Sequence, residues 1–125
     1  MSTKLQDLKN QGQIGASPYP ASVTDTNNGD TVDLIEADGR CFCIQMIGTV
    51  GGTTPSLTGK MQESSDNSSW TDISGATFTA VTASTSLQII TFERTKRYVR
   101  HFRTVSGTTP TFVLGVVIGE QKKSV

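Results

Sequence analysis

The stretches TVGGTTPSL (residues 49–57) and TVSGTTPTF (residues 104–112) spell nearly the same string half a chain apart. Each lies between runs with strand character. FCIQMIGTV leads into the first and SLTGKMQES leaves it, while YVRHFRTV leads into the second and TFVLGVVIG leaves it. Gly52 and Gly107 tolerate positive φ where the chain changes direction. Pro55 and Pro110 have no N–H and suit the first residue of an outgoing strand. Each also biases the threonine before it, Thr54 or Thr109, toward extended backbone. The string holds no nucleophile beside a base and no metal-ligand set. A glycine-rich anion cradle requires a helix after it, and a strand follows here. The pattern therefore predicts a hairpin connection used twice.

Working outward, TVDLIEA reads as a strand closed by the turn DGR. CFCIQMIGTV places Phe42, Ile44 and Met46 on one face, and SLTGKMQES places Leu57 and Met61 together. SDNSS is a polar turn before the short strands around Trp70 and Phe78, and SLQIITFE and KRYVRHFRTV follow. In TFVLGVVIGE, Phe112, Leu114, Val116 and Ile118 share one face and Val113 and Val117 the other. A strand apolar on both faces belongs centrally in a sheet or at a subunit contact. Short strands at intervals of about 8–12 residues, without a convincing helix, predict an all-β fold. The expected architecture is an antiparallel β-sandwich, jelly-roll-like, in one domain of residues 31–125. Residues 1–30 have no sustained apolar period beyond one weak helical turn through Leu5 and Leu8. They predict an extended N-terminal arm, lying on the domain or on a neighbouring molecule.

Hydrophobic residues make up 34% of the chain, so the expected core is thin. Eleven basic and eleven acidic residues cancel, which gives no long-range attraction for nucleic acid. No apolar run is long enough to span a bilayer, and the first residues lack the apolar core of a secretory signal. Cys41 and Cys43, two apart on a strand, are badly placed to bridge each other and read as buried free thiols in a reducing compartment. With His101 the sole histidine, a metal site lacks ligands, and no cofactor motif occurs. No nucleophile-elbow string is present, so the chain is not expected to be an enzyme. DTNNGD (residues 25–30) and ESSDNSSWTD (residues 63–72) lack the closing acid of a calcium loop and read as Asx turns. Trp70 reads as a plug between sheets, with stacking on a sugar as the alternative.

Charge concentrates in ERTKRYVRHFR (residues 93–103). On one strand Arg97, Val99, His101 and Arg103 share a face, and Lys96, Tyr98, Arg100 and Phe102 the other. One reading is a solvated strand balanced by Asp33, Glu36 and Asp38; another is an interface with an acidic protein surface.

Three strings carry a family resemblance: Gln62 to Asp72, of the form Q-x-S-x-D-x-S-x-W-T-D with one spacing change; RYVR (residues 97–100); and SGTTP (residues 106–110). Over roughly residues 32–122 the chain resembles the small β-sandwich head decoration, or cement, proteins of tailed bacteriophages. The resemblance implies a non-enzymatic virion protein on the capsid exterior, assembled in the host bacterial cytoplasm. It would clamp adjacent major capsid protein subunits, commonly as a homotrimer and often through an N-terminal arm. Nucleic acid and membrane are not implied partners. Candidate contacts to the capsid or a second subunit are Leu5, Leu8, Ile14 and Tyr19 of the arm, with Arg94, Arg97, Arg100 and Arg103. The alternatives are a carbohydrate-binding virion module and a minor tail or neck component.

Overall fold

Two very long strands carry the architecture. In the computed structural model, which describes residues 12–16, 20–34 and 37–122, β5 (Ala37–Ser64) and β8 (Tyr98–Lys122) pair antiparallel from end to end. At 28 and 25 residues they far exceed the usual strand of roughly 3–10, and a twisted sheet of that length has to bend. They bend together at the repeated string. Thr53 faces Thr108, with Gly51 opposite Thr111 on one side and Ser56 opposite Ser106 on the other. Gly52 alone thus opposes the pair Thr109–Pro110, and Gly107 alone opposes Thr54–Pro55. These are two reciprocal β-bulges related by a local two-fold axis.

The two copies are therefore not hairpin connections, as the sequence pattern suggested. Each is a corner inside a continuous strand, and each copy supplies the glycine that the other copy's Thr-Pro bulge requires. Gly52 and Gly107 have φ of 103° and 115°. A Cβ on Gly107 would sit 2.7 Å from the Thr54 carbonyl oxygen and 2.9 Å from the Pro55 Cα. A Cβ on Gly52 would meet the Thr109 oxygen and the Pro110 Cα at 2.5 and 2.8 Å. Thr54 and Thr109 are left-handed, at φ 47° and 45°, not extended. The bulge demands that geometry, and each hydroxyl donates to the preceding carbonyl, 2.7 Å to Thr53 O and 2.8 Å to Thr108 O.

Beyond the corner each half gains further strands. β7 (Ser86–Phe92) pairs with the first half of β5, from Cys41 opposite Phe92 to Ile47 opposite Ser86. β6 (Thr71–Thr77) pairs with the end of the second half. On the far side of β8, β1 (Gly12–Ala16), β2 (Ala21–Val23), β3 (Asn27–Asn28) and β4 (Val32–Asp33) run antiparallel to it in succession. They extend from Gly12 opposite Gln121 to Asp33 opposite Tyr98. The result is an all-β, β-sandwich-like fold in which one antiparallel sheet folds back over itself, with β8 central. Asp38–Arg40, expected as a turn, instead fall within β5 where the register shifts between Ala37 and Cys41.

The described part of the N-terminal segment thus lies on its own domain, as a broken third strand that rounds the corner beside β8. At the bend side chains take over from the ladder. Val105 N donates to Thr26 Oγ1 at 2.9 Å, and Arg103 Nε donates to Asp25 O at 2.9 Å. Val23, Val32 and Leu34 reach the core from this segment, so removing residues 1–30 would strip part of one edge of β8 and one core side chain.

Between the halves lies a single core. Cys41, Cys43 and Ile47 enter it from the first half of β5, and Leu57 and Met61 from the second. β8 contributes Val99 on one side of the corner and Phe112, Leu114, Val116 and Ile118 on the other. The inward set changes from odd to even positions in β8 because the register steps by one between Ile47 and Val50. Burying a side chain such as Phe112 or Leu57 contributes roughly 1.5–3 kcal/mol.

Candidate interaction surface

The outer faces of the two halves differ in chemistry. On the second half, Lys60, Gln62, Arg100, Tyr98 and Phe102 point outward, and Lys60, Gln62 and Arg100 are joined with Asp72 in one hydrogen-bonded cluster. Asp72 accepts from Lys60 Nζ at 2.9 Å and Gln62 Nε2 at 3.0 Å, and these bonds, that of Gln62 foremost, hold its carboxyl below the ordinary value. Gln62 Oε1 accepts from Arg100 Nε at 2.8 Å, and the Arg100 guanidinium lies 4.2 Å from the Trp70 ring centroid. Trp70 is therefore half-buried against Arg100 at the surface, not the plug between sheets that its size suggested. Arg100 covers one face of the ring. Behind it Asp66 closes the turn, accepting from Ser64 Oγ and from the backbone of Ser68 and Ser69, as the Asx reading required.

All four arginines singled out from the sequence have partners within the chain. Arg97 binds Asp33 through two nitrogens at 2.9 and 2.8 Å, and Arg103 binds Asp25 at 2.8 Å. Arg94 is nearly buried. Its Nε donates to Glu120 at 2.8 Å, and its terminal nitrogens donate to Lys96 O and Leu34 O at 2.7 Å each. Glu120 is 1% exposed and also accepts from Cys41 Sγ at 3.2 Å. Of the arm residues, Leu5, Leu8 and Tyr19 lie outside the described residues. Ile14 is described only by its backbone, which pairs with Gly119.

The first half presents the opposite chemistry. Three rungs cross its outer face: Leu87, Met46 and Gly115; Ile89, Ile44 and Val117; Thr91, Phe42 and Gly119. Val113 lies beside them, Ala16 extends the middle rung, and Pro20 packs on Gly115. The Phe42 ring lies where Gly119 leaves room, since a Cβ there would meet it at 2.4 Å. None of these side chains is charged. Leu87 is 66% exposed, Ile89 61%, Val113 43% and Met46 40%. The nearest charges are on the rim, where Arg40 donates to Glu93 at 3.0 Å and to Thr91 Oγ1 at 3.3 Å. A contiguous apolar face with a polar rim is how a docking surface looks. The signal was present in the sequence, in strands apolar on both faces.

Cys41 and Cys43 are free and buried, as expected. Burial and the neighbouring Glu120 push the Cys41 thiol up to about 12, and burial also raises that of Cys43. Neither is a thiolate at neutral pH, which removes the nucleophilic form. Among the described residues no group of three or more His, Cys, Asp or Glu could hold a metal ion. Nor is any helix there long and apolar enough to cross a membrane.

His101 bridges the two halves through Nε2, 2.8 Å from Gln45 Oε1, with the Phe78 ring tilted against it. Burial and then the Arg103 charge lower its pKa from 6.5 to about 4. The folded state thus binds the proton more weakly than the unfolded chain. The stability this provides is complete above about pH 6.5 and is lost as pH falls toward 4, by roughly 3 kcal/mol in all. Urea titrations at stepped pH should show this decline, and His101→Gln should flatten it. An equally steep decline in the variant would assign the acid sensitivity elsewhere.

No protein-family model and no curated protein matches the chain. Among solved structures it is similar to the SPBc2 prophage-derived protein YomS, at 12% identity and a TM-score of 0.48, covering 86% of this chain and 94% of that one. It is also similar to a chain from the Bacillus endospore appendages described as disulfide-linked pili, at 14% identity and a TM-score of 0.43, covering 90% and 92%.

Proposed function

We propose that this chain is a non-enzymatic structural protein of a phage virion. It attaches to the outside of the capsid through the apolar outer face of its first half and cements adjacent coat subunits. The observation that carries the reading is that face, uncharged over three rungs and rimmed by Arg40 and Glu93. The resemblance to head decoration proteins supports it independently, through the strings at residues 62–72, 97–100 and 106–110. Cementing in this form needs no chemistry. Many copies each bury a modest apolar patch, and engagement at several points makes weak contacts add into a durable one.

The test is stoichiometry. In purified virions containing this chain, its amount relative to the major capsid protein should approach one to one when measured by quantitative mass spectrometry. A handful of copies per particle would move it to the tail or neck and end the cementing proposal.

A further inference from the structure

We infer that two copies of this chain join by pairing β7 with β7 across a two-fold axis, extending the sheet of the first half from one molecule into the next. The inference does not rest on the capsid reading. Among the described residues β7 pairs with β5 alone, so its other edge presents backbone N–H and C=O groups. Proteins ordinarily blunt such an edge with charges, proline, bulges or brevity. The other described edges are shorter or interrupted: β1 has five residues, two of them glycine, and β2 has three. β3 and β4 have two residues each, and β6 carries Asp72, the positive-φ Gly75 and a register shift. β7 has none of these devices. It is SLQIITF, seven uncharged residues in unbroken register with β5.

Self-pairing is also what its charge pattern permits. A two-fold axis at Ile89 would set Ile89 against itself and Leu87 against Thr91, and any charge near the axis would face its own copy. Leu87 and Ile89, the two most exposed large apolar side chains, lie on this strand. Surface area decides the mode of contact. The four exposed apolar side chains, Leu87, Ile89, Val113 and Met46, can offer on the order of a few hundred Å² between them, short of the roughly 800 Å² per partner of a stable flat interface. Backbone hydrogen bonds along β7 supply what the patch alone lacks. A closed two-fold contact gives dimers, whereas the family resemblance implies trimers, so mass alone separates the two.

Sedimentation of the full-length chain from micromolar to millimolar concentration should show a monomer–dimer equilibrium. Hydrogen exchange should show β7 amides protected in the dimer. Ile89→Lys should weaken dimerisation at least tenfold while leaving the circular dichroism spectrum and melting temperature unchanged, because the side chain is largely exposed. Mixing Ile89→Lys with Ile89→Glu should restore a heterodimer, an outcome a folding defect cannot produce. Val113→Lys, on the same face but away from the β7 edge, should remain dimeric. A chain that stays monomeric at millimolar concentration, that forms trimers, or whose Ile89→Lys variant still dimerises would overturn the proposal.

Discussion

Gly107→Val is expected to lower stability by about 3–5 kcal/mol, a large part of the roughly 5–15 kcal/mol that holds a domain of this size folded. Two costs combine. A β-branched residue resists the φ of 115°, and its Cβ would lie within 3.0 Å of backbone atoms of Thr53, Thr54 and Pro55. Backbone in a paired strand cannot step aside as a flexible side chain can. Gly75 separates the two costs, since it has a φ of 77° with nothing within 4 Å of its Cβ position. Gly75→Val should therefore show the conformational cost alone. Thermal melts of both variants provide the check. Equal losses at the two sites would mean that the reciprocal bulges do not interlock as described. By the local two-fold symmetry, Gly52→Val should behave as Gly107→Val does.

Arg94→Ala is expected to cost about 3–5 kcal/mol, because it leaves the Glu120 carboxylate buried without its cationic partner. It also removes the donors to Leu34 O and Lys96 O, which tie the loop before β8 to the end of β4. The double variant Arg94→Met with Glu120→Leu should recover much of that loss, since a buried ion pair replaced on both sides by apolar groups is often close to neutral. Chemical denaturation of the single and double variants measures both. If Arg94→Ala cost less than about 1 kcal/mol, water would have to reach Glu120 and the site would not be dry.

Much of the fold was legible because its strands alternate. The apolar series at Leu57 and Met61 and from Phe112 to Ile118 is the core, and TFVLGVVIGE is central in the sheet. The corner was not legible. Gly, Thr-Thr and Pro carry the same signals in a hairpin turn as in a bulge, and only the register shows that one copy faces the other. The N-terminal strand segments were hidden for a different reason. Their ladder is interrupted, their inward residues are few, and Asp25 and Thr26 replace apolar contacts with hydrogen bonds at the bend. Charge patterning drew attention to the arginines, whose heads turn out to bind Asp25, Asp33, Gln62 and Glu120. The apolar outer face was written in Phe42, Ile44, Met46, Leu87 and Ile89. Period alone cannot distinguish a strand covered on both sides from one whose second face awaits a partner.

The pairing of residues 12–33 with residues 98–121 has a consequence in time as well as in space. These partners lie far apart in sequence, and even the innermost rung between β5 and β8, Ser64 with Tyr98, spans the whole of β6 and β7. Before β8 is made only β6 and β7 have their partner, β5, within reach, and β1 to β4 have none. β8, on which β1 to β5 all pair, follows every one of them in sequence, so completion of the sheet is deferred until it is made, and the fold belongs to the slow, high-contact-order class. Until β8 emerges, the uncharged segments CFCIQMIG and SLQIITF have only each other, with the second edge of β5 uncovered, and that interval is when the chain is most exposed to aggregation.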